Sequence, residues 1–262
     1  MCAQVSTRSR TIFPPVIENA TGHGRVVLVC EHASNAFPAP WGDLGLTDDQ
    51  QQAHIAWDPG ALGLARGLSH RLDAVLVHAP VSRLIYDCNR APDMAGAMPA
   101  RSEIHDIPGN ADLTADDRAG RTAAIYVPFH DGLHAVLSDR IARGLAPVVV
   151  TIHSFTPVFH NTPRTVEFGV IHDADTRLAE TVLALAKSGT TLTCDLNAPY
   201  SAADDVTHTL RLHATPYGLP NAMLEIRNDL IATPAAESAM AAVLAPVLEQ
   251  AVSALTQPEV VE

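Results

Sequence analysis

The stretch Val26-Val27-Leu28-Val29-Cys30-Glu31-His32-Ala33-Ser34-Asn35 runs five apolar residues into a glutamate, a histidine and a turn-forming Ser-Asn pair. A short, β-branched apolar run without alternation reads as a strand covered on both faces, the situation inside a parallel or mixed sheet. Open α/β sheets bind ligands beyond the carboxyl ends of their strands. His32 is therefore a candidate for chemistry, although a lone histidine at a strand end is more often a hydrogen-bonded structural residue.

Two other segments repeat the pattern. "PVVVTIHSF" carries His153 near the end of a second apolar strand, and "NAMLEIRNDL" carries Glu225 within a third. "AVLVHAP", "SRLIYDC", "TVEFGVIHD" and "TTLTCDLNAPY" read as further strands. Between them lie helical segments: a short one capped by Thr47, one opened by Asp58 as N-cap with Pro59 at N1, and a long one from about Thr114 to Arg143. "DADTRLAETVLALAKS", "DDVTHTLRLHATPYG" and the C-terminal "TPAAESAMAAVLAPVLEQAVSAL" complete the set. Strands alternating with helices predict an α/β three-layer sandwich with a central mixed, mostly parallel sheet flanked by helices. Residues 1–24, with Pro14-Pro15, Gly22 and Gly24, read as an N-terminal arm, and 25–262 as a single domain. The segment from Asn89 to about Asn110 is rich in Pro, Gly and Ala without periodicity and reads as a long functional loop, a candidate lid.

Composition narrows the function. With 262 residues and 47% hydrophobic side chains, the chain suits one hydrophobic core. A net charge of −12, from 17 Lys+Arg against 29 Asp+Glu, argues against nucleic acid or an anionic membrane as partner. The opening residues lack the apolar core of a signal peptide, and no run of some 18 uninterrupted apolar residues follows, so the expectation is a soluble cytoplasmic protein. Cys2, Cys30, Cys88 and Cys194 lack metal-site spacing and read as small hydrophobes. Thirteen histidines raise the expectation of metal or proton chemistry. Two imidazoles and a carboxylate suit a zinc ion with one open position, and a further carboxylate suits a base.

The motifs also carry a resemblance. "TIHSF" followed by "LEIR" resembles the third zinc ligand and the catalytic glutamate strand of zinc carboxypeptidases, and "SRLIYDCNR" resembles a segment of aspartoacylase-type deacylases. Taken in order, "CEHASN", "WDPGA", "SRLIYDCNR", "TIHSF", "DLNAPYS" and "LEIRNDL" most resemble the N-formylglutamate amidohydrolase family, over roughly Val26 to Ala251. The resemblance implies one divalent metal, zinc, held by His32, Asp58 and His153, with Glu225 as the base that moves the proton of the attacking water. It implies Arg83 as the oxyanion support, Asn89 and Arg90 as a clamp on the substrate α-carboxylate, and Tyr200 and Arg227 as further substrate-binding candidates. The substrate expected is a small anionic N-acyl amino acid such as N-formylglutamate, with the oligomeric state left open.

The carboxypeptidase pattern places a glutamate ligand three residues after the first histidine, where this chain has Asn35. Asp58 is the replacement expected, its alternative role being a plain helix N-cap. Glu31 is expected to face away from His32, because neighbours on a strand point to opposite sides. Glu225 has its own alternative, an ion pair with Arg227. Two further readings stand beside the amidohydrolase: a carboxypeptidase- or aspartoacylase-like metallohydrolase of another substrate, and a non-catalytic carboxylate-binding homologue.

Overall fold

The computed structural model describes residues 11–255. In chain order, β1 is Val16–Glu18, β2 Val26–Cys30, α1 Asp48–Gln52, α2 Ala61–Leu72 and β3 Val75–His78. The hairpin strands β4 (Arg101–Ser102) and β5 (His105–Asp106) precede α3 (Ala115–Arg121) and α4 (Val127–Ala142), which are joined by a π-helical turn, Thr122–Tyr126. Then come β6 (Val148–Phe155), the hairpin β7 (Val158–Phe159) and β8 (Thr162–Pro163), β9 (Phe168–Ile171), α5 (Arg177–Gly189) and β10 (Cys194–Leu196). The chain closes with α6 (His208–His213), β11 (Asn221–Arg227) and α7 (Pro234–Ala254).

Seven strands form one sheet in the order β1-β3-β2-β6-β11-β9-β10. The three central strands β2, β6 and β11 are mutually parallel, so their carboxyl ends share one edge. Strand β1 adds an antiparallel edge to β3, and β9 runs antiparallel to β11. Residues 16–18, within the expected arm, are thus part of the sheet.

Side-chain alternation builds two cores from the same strands. Val26, Leu28, Val150, Ile152, Leu224 and Ile226 pack with α2, α5 and α7. Val27, Val29, Val149 and Met223 pack on the opposite face, with Ile125, Phe129 and Leu133 of the π turn and α4 and Leu210 of α6. The result is the three-layer sandwich read from the sequence. Thr151 and His153 continue the parity of Val149, and Glu225 that of Met223, so both site residues lie on the second face, where the strands run out. Helix α7 is long and apolar enough to cross a membrane by length and composition. Its apolar stripe, Met240, Leu244, Leu248 and Val252, is buried in the first core.

Three expected elements differ. "SRLIYDC" is a series of turns rather than a strand. Ser82 explains it: its N–H donates to Ala36 O at 3.0 Å and its hydroxyl to Ala56 O at 2.8 Å, so these groups bond loops rather than a sheet ladder. The Asn89–Asn110 segment is not structureless. It contains the β4–β5 hairpin, and the Asn110 amide pins it by donating to Leu84 O at 2.8 Å and Pro99 O at 2.9 Å. Finally, α2 begins two residues later than expected, with Gly60 at φ 80° as N-cap. Asp58 is therefore not a helix cap, and its carboxylate turns elsewhere.

Candidate active site

Near the carboxyl ends of β2 and β6, three side chains converge, His153 from within β6 and His32 and Asp58 from the chain after β2. Asp58 Oδ2 lies 3.2 Å from His32 Nδ1 and 2.9 Å from His153 Nδ1, and the two ring nitrogens are 3.2 Å apart. The backbone fixes this triangle, because Asp58 N–H donates to His32 O at 2.9 Å. Ser154, next to His153, reaches Pro59 O through its hydroxyl at 2.8 Å. All three side chains are buried.

The donor set suits a divalent transition metal. Tetrahedral bonds of roughly 2.0–2.1 Å place neighbouring ligand atoms about 3.3 Å apart, close to the edges of this triangle. Two imidazoles and a carboxylate are ordinary zinc ligands, and three of them leave a position for a reactant. The outer nitrogens of both rings face carboxylates: His32 Nε2 lies 2.8 Å from Asp87 Oδ1, and His153 Nε2 lies 3.2 Å from Glu31 Oε2. The second contact is an ion-pair distance without hydrogen-bond alignment. Carboxylates behind the rings orient the inward nitrogens and raise their basicity.

Electrostatics point the same way. Glu31, Asp58, Asp87 and Glu225 are all buried, and the Arg83 guanidinium bridges two of them, Asp58 Oδ1 at 3.2 Å and Asp87 Oδ2 at 3.0 Å. Burial opposes ionisation of Asp58, yet His32, His153 and Arg83 hold it well below the usual range. Burial likewise opposes protonation of His153, but Glu31 and Asp58 outweigh it and push the imidazole well above its ordinary value. With both imidazoles neutral, as metal ligation requires, the carboxylates outnumber the cations, and a divalent cation would restore the balance.

Glu225 sits opposite His153 in the β6–β11 register. Its Oε2 is buried without a hydrogen-bond partner, and burial pushes the carboxyl up to about 7, with the Asp58 charge acting in the same direction. The expected alternative pair with Arg227 does not form. Arg227 binds Asp229 at 2.8 Å and Glu167 at 3.4 Å and is absent from the cavity wall. Glu31 does not touch His32 and supplies none of the three converging ligand atoms; it reaches the outer nitrogen of His153, on the neighbouring strand. Asn35 donates to Gln51 O and Gln52 Oε1, tying its loop to α1, so its position is not used as a ligand position.

A cavity of about 560 Å³ opens on the triangle, within the usual range for small-molecule sites. Arg83, Asn89, Arg90, Arg164, Tyr200 and Glu225 are on its wall. Asn89 is occupied within the protein: its amide donates to Val206 O and its carbonyl oxygen accepts from Thr209 N–H at 3.0 Å. Arg90 donates to Asp204 O at 2.9 Å and has no carboxylate within 4.0 Å among the described residues. Ser102 and Glu103 of the β4–β5 hairpin reach the rim. Asp87 and Arg164 carry no sequence expectation of their own, although Asp87 stands inside the quoted "SRLIYDCNR" motif.

A sequence model of the N-formylglutamate amidohydrolase family matches residues 24–232. No curated protein matches the chain. The crystal structure of a gene product from Agrobacterium tumefaciens is 52% identical, with a TM-score of 0.91, covering 94% of this chain and 97% of that one. The crystal structure of an N-formylglutamate amidohydrolase from Ralstonia eutropha shares the fold at 17% identity and a TM-score of 0.67, covering 92% of this chain and 98% of that one.

Proposed function

The chain belongs to the N-formylglutamate amidohydrolase family, and on that footing we propose that it is a zinc-dependent hydrolase of a small anionic N-acyl amino acid, with an N-formyl group as the acyl part. The observation that carries the reading is the triangle of His32 Nδ1, Asp58 Oδ2 and His153 Nδ1 beside the unpartnered carboxyl of Glu225. His32, Asp58 and His153 would hold a divalent ion, which when bound would supply Lewis-acid chemistry towards the acyl carbonyl and water.

The residues of this chain divide the remaining work. Glu225, pushed up to about 7 in its buried position, takes the proton of the attacking water and returns it to the leaving nitrogen. Arg83, held by Asp58 and Asp87, offers its outer N–H groups to the charge that develops on the carbonyl oxygen. Arg90, free of acidic partners among the described residues, takes the α-carboxylate through two parallel bonds. Asn89 serves that clamp indirectly, by fixing the 206–209 segment. Tyr200 closes the cavity beside Glu225.

The test is turnover by zinc-loaded protein across N-formyl and N-acetyl amino acids and dipeptides. Release of formate with free amino acid as co-product is expected. Cleavage of dipeptides alone would place the chain with carboxypeptidase-like hydrolases, and no cleavage of any substrate would remove the hydrolase reading.

A further inference from the structure

The β4–β5 hairpin brings Ser102 and Glu103 to the cavity wall, yet the proposed reaction uses neither. Its base is fixed. Ile107 is fully buried and its N–H donates to Ala100 O at 2.8 Å, while Gly109 N–H donates to Leu44 O at 2.8 Å. Asn110, whose amide binds Leu84 O and Pro99 O, accepts from Arg121 at 2.6 Å through its side-chain oxygen. Beyond this base the hairpin changes character: none of residues 101–106 is buried, and Ile104 at the tip is 68% exposed. A segment without buried apolar contacts opens locally at little cost, whereas its anchored base does not.

Among the described residues, two side-chain contacts tie residues 101–106 to the rest of the protein, and both reach α1 or the turn after it. Glu103 Oε1 lies 2.6 Å from His54 Nε2, and His105 Nδ1 lies 3.2 Å from the Gln50 amide. The bonds of Arg101 to Glu103 O at 3.3 Å and to Asp106 at 3.0 Å stay within the hairpin. The pairing of Ser102 with His105 leaves Glu103-Ile104 as a two-residue loop, with Glu103 at φ 53°, a conformation that such loops usually give to glycine, asparagine or aspartate. A longer side chain persists there only where its surroundings hold it. His54 supplies that hold on the carboxylate, and it too lines the cavity, so the contact spans the rim.

We propose that the β4–β5 hairpin is a lid that swings on its anchored base, and that His54 and Glu103 are its latch. Latched, it sets Ser102 and Glu103 against the cavity and retains what is bound there; released, it opens the path by which substrate enters and product leaves. His54 and Glu103 are positioning residues, since they act on the hairpin and not on the reacting atoms. The inference rests on the deacylase reading only for what passes the lid, and the lid itself is tested without substrate.

Hydrogen exchange of the full chain, read by mass spectrometry, supplies that test. In wild type the amides of residues 101–106 should exchange together and well ahead of those of 107–110. His54→Ala and Glu103→Ala should each speed the hairpin by about 3- to 10-fold, the weight of one partly buried charged contact, and leave the central sheet unchanged. The double variant should go no further than either single one, because both remove the same contact. Glu103→Gln, which keeps an acceptor without the charge, should fall between. Unchanged exchange in the single variants, or effects that add in the double variant, overturns the latch, and a wild-type hairpin that exchanges as slowly as 107–110 overturns the lid. Steady-state kinetics with N-formylglutamate on the zinc-loaded protein give a second reading: both alanine variants should raise KM by about the factor seen in exchange. Faster exchange with a wild-type KM would mean that the hairpin covers nothing, and also overturns the lid. If wild type hydrolyses no N-acyl substrate, the deacylase reading fails and hydrogen exchange alone decides the lid.

Discussion

Asp87 Oδ1 lies 2.8 Å from Nε2 of His32, on the side of the ring away from Asp58. The same carboxylate reaches Arg83 through Oδ2 at 3.0 Å and accepts from Asn89 N–H at 2.9 Å. One side chain therefore fixes the ring of a candidate ligand, the guanidinium at the cavity and the start of the following loop. Asp87→Ala should lower zinc affinity by about 10- to 100-fold, the usual cost of losing a carboxylate behind a ligating histidine. A competition titration with a chelator measures it. An unchanged dissociation constant would remove Asp87 from the metal's support.

Glu225→Gln keeps the size of the side chain and removes its ability to take a proton. Zinc content should be unchanged and kcat lower by a factor on the order of 10² or more. Single-turnover kinetics with N-formylglutamate, alongside metal analysis, check both parts. Near-normal turnover would assign the base elsewhere.

His130 and His213 form a buried neutral pair away from the cavity. His130 Nε2–H donates to Cys88 O at 2.9 Å, so its Nδ1 accepts from His213 Nε2–H at 2.8 Å. Burial lowers His130 to about 3 and His213 to about 4, helped by the neighbouring histidines. Between these values and the ordinary histidine pKa the unfolded chain binds more protons. Stability should then fall as pH drops below about 6.5, by up to about 1.4 kcal/mol per pH unit for each residue. Urea midpoints between pH 7 and pH 4.5 test this. His213→Gln, which can still donate to His130, should flatten the slope, and an identical slope would place the acid sensitivity elsewhere.

Gly169 pairs with Glu225 across β9 and β11, and a Cβ there would collide with the Ala198 carbonyl. Since Ala198 leads into Tyr200, Gly169→Ala should displace that segment. The expected outcome is a Tm lower by several degrees, equivalent to about 1–3 kcal/mol of strain, together with a raised KM. A variant with wild-type Tm and KM would show that the segment shifts freely.

Much of the framework was legible because apolar runs signal covered strands directly. β2, β6 and β11 announced themselves in this way, and their shared direction brought His32, His153 and Glu225 to one edge. What the sequence hid depended on side chains bonding to distant backbone. "SRLIYDC" has the β-branched and aromatic content of a strand, and only the bonds of Ser82 to Ala36 and Ala56 show why it turns instead. The contact of Glu31 with the outer nitrogen of His153 was likewise hidden, since that imidazole comes from a different strand. Arg164 carried no motif, and its place on the cavity wall is set by three rings contributed by β6, β7 and the loop after β10. Asp58 illustrates the converse: Asp-Pro-Gly looks like a helix start, but the helix is capped at Gly60 and the carboxylate is released to the site.

The central claim is that His32, Asp58 and His153 together hold one divalent metal. The most direct measurement is metal stoichiometry, by elemental analysis of protein dialysed against excess zinc and then desalted, for wild type and Asp58→Ala, with thermal unfolding to confirm that both are folded. The account predicts about one zinc per chain in wild type and retention well below that in a folded Asp58→Ala protein. Equal zinc in the two proteins, or none in wild type, would contradict it.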